Sequence, residues 1–71
     1  MRRHAISSSA ISSVGYDARS SVLEVEFQGG AVYDYFKVPA KVYRALLKAP
    51  SKGRFVSRRV RDIYSFVRRD P

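Results

Sequence analysis

The 71 residues predict an α+β domain: a small three-stranded antiparallel sheet followed by two helices packed on one face, in the order β-β-β-α-α. Three observations carry that prediction. Leu23, Val25 and Phe27 alternate with Glu24, Glu26 and Gln28, the period of two that marks a strand with one buried face. Beyond Phe36 the spacing becomes helical, with Val42, Leu46 and Ala49 at i, i+4 and i+7. Prolines at 39 and 50 bracket that second pattern, one suited to a first helical turn and the other to stopping the helix.

Taken in chain order, Ile11 to Tyr16 reads as the first strand, joined through "DARSS", whose Asp and Ser side chains suit a turn. The alternating segment through Phe27 is the second strand, and Ala31 to Phe36 is the third. Gly29 and Gly30 admit two registers for that last hairpin. A two-residue loop pairs Val25 with Asp34 and puts a carboxylate on the apolar face, which is costly. A three-residue loop with a left-handed glycine pairs Phe27 with Ala31, Val25 with Tyr33 and Leu23 with Tyr35. The second register is preferred: it turns both tyrosine rings inward, with their hydroxyls reaching a rim. It leaves Val32 and Phe36 exposed on the face that carries Glu24, Glu26 and Asp34.

In the first helix Lys41, Arg44 and Lys48 form a stripe separate from the apolar seam. Ser51 then offers an N-cap. The second helix reads from "GRFVSRRVRDIYSFVRR", with Val56, Val60, Ile63 and Val67 as its apolar seam and Arg54, Arg58 and Arg61 as a basic stripe. Phe55, Tyr64 and Phe66 widen the apolar face, and beyond about Tyr64 the spacing leaves the end of the helix open. A chain of this length is one domain, residues 1–71, with a core over about 7–64 and fraying at both ends; it buries only about 60% of the surface its unfolded form exposes.

Composition narrows the function. With no cysteine there is no disulfide and no thiolate metal site. "MRRHAISSSAISS" lacks the apolar core of a signal peptide, and no apolar run reaches the roughly 18 residues of a membrane span. A cytoplasmic protein with no membrane partner is expected. His4 stands alone in an N-terminus expected to be mobile, so no metal site, cofactor or catalytic residue is expected, and the protein is not expected to be an enzyme. Serines 7, 8, 9, 12 and 13 have no base to activate them. Glu24 and Glu26 share one face, as the solvated side of a sheet requires.

Charge is unevenly placed. Residues 1–36 hold three basic and four acidic side chains, whereas residues 37–71 hold eleven basic and two acidic, for nets of −1 and +9. Such a field attracts polyanions. Arginine outnumbers lysine in the second helix, which favours phosphate, because guanidinium presents a planar fork of donors.

The segments "SSAISSVGYD", "LEVEF" and "GGAVYDYFKVPAKVYRALLKAPSKGRFVSRRVRDIY" resemble the KTSC domain, a module of lysyl-tRNA synthetase C-termini and free-standing small proteins. Tyr33-x-Tyr35 followed by Val38-Pro39 is the most specific part, and Val56-Ser57-Arg58 departs from a pattern that more often has an aromatic followed by Asn. The resemblance implies an α+β fold, a suspected RNA-binding role and no known catalytic residue. The expected function is therefore a basic module that holds a nucleic-acid backbone, RNA in preference to DNA, through Lys41, Arg44, Lys48, Lys52, Arg54, Arg58, Arg59 and Arg61. Tyr16 and Phe36 are candidates for a stacking surface. The alternative is a protein-interaction module for an acidic partner.

Overall fold

The computed structural model describes residues 3–70. The elements run β1 (Arg3–Ala5), β2 (Ile11–Asp17), β3 (Val22–Phe27), β4 (Val32–Tyr35), α1 (Ala40–Lys48), α2 (Lys52–Arg59) and β5 (Phe66–Arg68). The class is α+β, but the sheet has five antiparallel strands in the order β1-β2-β3-β4-β5 rather than the expected three. The two added strands are the outermost. Of the residues expected to fray, 3–5 form β1 and Arg69 and Asp70 are bonded to the Val32 backbone; residues 1, 2 and 71 lie outside the described residues.

The preferred hairpin register is the observed one, with Leu23 opposite Tyr35 and Val25 opposite Tyr33. Phe27 N–H donates to Ala31 C=O at 2.8 Å and Gly30 N–H to Phe27 C=O at 3.0 Å, closing the three-residue loop. Gly29 and Gly30 both sit at positive φ, 99° and 104°, which a side chain would strain. In β2 the pairing skips between Ile11 and Ser13. This bulge lets Ile11 and Val14, three residues apart, both face the core, while Ser13 donates its hydroxyl outward to Glu26 Oε1 at 2.8 Å.

The core is Ile11, Val14, Leu23, Val25, Tyr35, Val38, Leu46, Val56 and Val60, with both helices on one face of the sheet. Helix α1 ends where expected: Ala49 N–H turns back to Leu46 C=O, and Pro50 follows. Ser51 caps α2 by accepting from Arg54 N–H at 3.4 Å. Gly53 lies against the loop after β1, where an added Cβ would come within 2.7 Å of Ala10 Cβ. A side chain there would drive the loop off the helix.

The second helix is shorter than its apolar spacing suggested. Of the expected seam only Val56 and Val60 are buried; Ile63 is 62% exposed, and Phe66 and Val67 belong to β5. The chain leaves the helix at Val60 and turns, with Arg61 N–H donating to Val56 C=O and Tyr64 N–H to Val60 C=O, so that it can pair along the free edge of β4. There Phe66 stacks on Tyr33 at 5.4 Å, ring planes 18° apart. Edge pairing satisfies a row of backbone groups that a longer helix would have left open.

The outer face is a line of charge across the whole sheet. Arg3, Gly15, Glu24, Asp34 and Val67 stand opposite one another in successive strands. Arg3 reaches past Gly15, which has no side chain to block it, to within 3.5 Å of Glu24 Oε1. Arg69 holds Asp34 Oδ2 at 2.9 Å. Asp34, expected on an open face, is only 7% exposed because Arg69 lies on it. Val32 is likewise half-buried, its backbone bonded to Arg69 N–H and the Asp70 carboxylate. The Arg68 guanidinium and the Val32 N–H hold Asp70 down to about 2.

Burial, reinforced by the hydrogen bond and negative charge of Asp34, raises the Glu24 carboxyl above its ordinary value. A group raised in the folded state stabilises below its unfolded pKa, and that contribution is lost as pH rises through the folded one. Ionised Glu24 at neutral pH therefore opposes folding. Glu24→Gln places an amide donor opposite Asp34, whose Oδ1 is buried without a hydrogen-bond partner. The variant should melt above the wild type at pH 7, and the gap should close as pH falls towards 4. Melting curves at several pH values check this, and a variant that melts lower throughout would mean the Arg3 pair outweighs the repulsion.

Candidate nucleic-acid interface

The basic side chains expected to bind are separated from this acidic face by the thickness of the domain. Lys41, Arg44 and Lys48 are exposed on α1, on the side away from buried Leu46. Arg54 and Arg58 are exposed on the side of α2 away from Val56, and Arg59 is exposed on the flank that carries Phe55. None of these six forms a salt bridge among the described residues. The cations of the sheet are spent differently: Arg3, Arg68 and Arg69 each hold a carboxylate. The unneutralised charge is thus concentrated on the helical layer.

Two expected members stand apart from the group. Lys52 is half-buried and donates its ammonium to Ala49 C=O at 2.7 Å, tying the end of α1 to the start of α2. Arg61 lies past the end of α2, 3.9 Å from Asp62, in a cleft with Phe27, Ala31, Tyr33, Val56 and Ser57. It does not continue the Arg54 and Arg58 stripe, because the helix that would carry the stripe ends at Arg59.

The aromatic candidates are also placed by packing. Tyr16 donates its hydroxyl to Val38 C=O at 2.6 Å, and its ring stacks on Tyr43 with centroids 5.1 Å apart. It braces β2 against α1. Phe36 follows β4, half-buried, and by strand alternation falls on the face opposite the helices. Neither stands among the helical arginines. The aromatic that does is Phe55, in α2, with the Arg59 guanidinium carbon 5.6 Å from its ring centroid. Its position between Arg54 and Arg59 was visible in the sequence, but apolar spacing assigned it to the core face, and it is in fact only half-buried.

A groove of about 880 Å³ is lined by the serine-rich loop Ser7–Ala10 and by Pro50–Arg54, the two segments meeting at Ala10 and Gly53. Ser8 shapes that loop by accepting from Ala10 N–H and Ile11 N–H, both at 3.2 Å. His4, expected in a mobile N-terminus, is exposed in β1 opposite Val14. Among the described residues there is no group of three His, Cys, Asp or Glu side chains suited to a metal ion, and no helix long and apolar enough to cross a membrane.

A family model described as the KTSC domain matches residues 7–64. An uncharacterized protein of Stutzerimonas stutzeri is 52% identical over 54 residues, covering 76% of each chain. A lysine–tRNA ligase of Nostoc punctiforme is 38% identical over 58 residues, and there the match takes in 82% of this chain but only 10% of the enzyme. Among solved structures, a KTSC domain protein of Yersinia pestis superposes with a TM-score of 0.90 at 33% identity over 96% of both chains.

Proposed function

The chain belongs to the KTSC domain family, and from that premise we propose that it is a small basic module that holds nucleic acid by its phosphate backbone, RNA in preference to DNA. The observation that carries this reading is the segregation of charge. Six cations without a carboxylate partner share the helical layer, while those of the sheet are paired. A one-signed surface of this kind concentrates a polyanion and speeds its capture. Four of the eleven basic residues after Phe36 are arginines between 54 and 61, and their fork of donors suits phosphate oxygens. The preference for RNA rests on relatives named as lysine–tRNA ligases that carry the same segment. Lys41, Arg44, Lys48, Arg54, Arg58 and Arg59 supply most of the contacts, with Lys52 and Arg61 at the margins.

The test is whether binding follows the unpaired charges rather than the total. Arg54→Gln with Arg58→Gln should weaken binding of a labelled RNA oligonucleotide at low salt by about tenfold or more, since each phosphate contact adds to affinity. Arg68→Gln removes a charge already held by Asp70 and should change affinity much less. Equal losses per charge removed would point to net charge alone. No RNA or DNA binding by the wild type, with capture of an acidic protein instead, would replace this reading with the protein-interaction one.

A further inference from the structure

Phe55 and Arg59 form a partition between two clefts. On one side Pro50, Ser51, Arg54 and Arg58 complete a hollow of about 300 Å³. On the other, Lys41, Val42, Ile63 and Tyr64 complete one of about 370 Å³. Both hollows are walled by the same ring and guanidinium, and both are rimmed by cations that form no salt bridge among the described residues. Ile63, the most exposed of the large apolar side chains, stands beside them. An aromatic ring and an arginine plane half-open to solvent, within reach of unneutralised Lys41, Arg54 and Arg58, combine a π-surface with phosphate donors.

We propose that the Phe55–Arg59 pair is a stacking platform for an unpaired base, so that the domain takes single-stranded or looped nucleic acid in preference to duplex. The inference rests on the nucleic-acid reading above and adds the substrate class. Bases stack on aromatic side chains and on guanidinium planes alike. A duplex offers only base edges at the bottom of its grooves, and its stacked faces are closed to Phe55. The hollows are at the lower limit of small-ligand sites, about 300 Å³, enough for a ring system and too small for a helix. An amphipathic acidic peptide fits less well: it needs apolar anchors along a continuous groove, whereas here the Phe55–Arg59 wall interrupts the apolar surface.

The chain contains no tryptophan, so Phe55→Trp introduces a single indole at the platform. Its emission should be quenched by a ten-nucleotide oligoadenylate or oligouridylate and much less by an RNA duplex of equal phosphate number. Phe55→Leu keeps an apolar contact for Val42 and Tyr64 but removes the π-face. It should lower affinity for the single strand about tenfold and leave the salt dependence and duplex binding unchanged. Thermal melting of both variants separates these effects from unfolding. If wild type binds single strand and duplex equally, and Phe55→Leu changes neither, the platform is wrong while the electrostatic reading stands. If neither nucleic acid binds, the electrostatic reading itself has failed. Binding of an acidic leucine-containing peptide that RNA does not displace would overturn both.

Discussion

Tyr35→Ala should come close to unfolding the domain. The ring is fully buried and sits at the junction of three strands, opposite Leu23 in β3 and Phe66 in β5. It packs at 5.7 Å from the Phe66 ring and edge-on to Tyr33 at 6.3 Å. Truncating a buried aromatic costs about 3–5 kcal/mol, against a total of roughly 4–10 kcal/mol for a chain of this length at about 0.05–0.15 kcal/mol per residue. The hydroxyl contributes in the opposite sense. It was expected at a rim but is buried, and it has no hydrogen-bond partner; burial also raises its pKa above the ordinary tyrosine value. An unsatisfied buried hydroxyl carries a desolvation cost of about 1–3 kcal/mol. Tyr35→Phe should therefore hold or raise the urea midpoint while Tyr35→Ala collapses it. A clear fall in midpoint for Tyr35→Phe would show that the hydroxyl is satisfied in solution.

RNA affinity should fall steeply with salt. Each neutralised phosphate releases counterions, giving a slope of log affinity on log salt of about −0.7 to −0.9 per contact. Four to six contacts from the helical layer predict a slope of roughly −3 to −5, which between 50 and 200 mM salt is a loss of about 60- to 1,000-fold. Arg54→Gln with Arg58→Gln should flatten the slope by about two contacts. The fold should survive, since both side chains are exposed on the side of α2 away from Val56 and Val60. Anisotropy titrations at four salt concentrations measure the slope. A slope near zero, or one that the double substitution leaves untouched, would remove the phosphate backbone as the ligand of these arginines.

The central hairpin and the first helix were legible in the sequence because their signals are local. The alternation of Leu23, Val25 and Phe27 decides which side chains share a face, and the cost of burying Asp34 among them decides the register with Tyr33 and Tyr35. Pro39, Pro50 and Ser51 bound the helices through backbone chemistry that involves only their neighbours. The concentration of basic residues after Phe36 was equally plain. What the sequence by itself determined, then, is which faces are apolar, where the turns fall and on which half of the chain the positive charge lies. Tertiary structure decided the rest. Strands of three residues, such as Arg3–Ala5 and Phe66–Arg68, show no usable period, and they exist because β2 and β4 offer edges to pair with. The end of α2 at Arg59 follows from that pairing, which overrode a helical spacing running on through Ile63 and Val67. Asp34 is buried because Arg69, thirty-five residues away, neutralises it. The larger of the two clefts at Phe55 forms only when the 60–64 turn folds back beside α1. Periodicity records what a residue's own element needs, whereas an edge, a counter-charge or a cleft wall comes from chain distant in sequence and leaves no local trace.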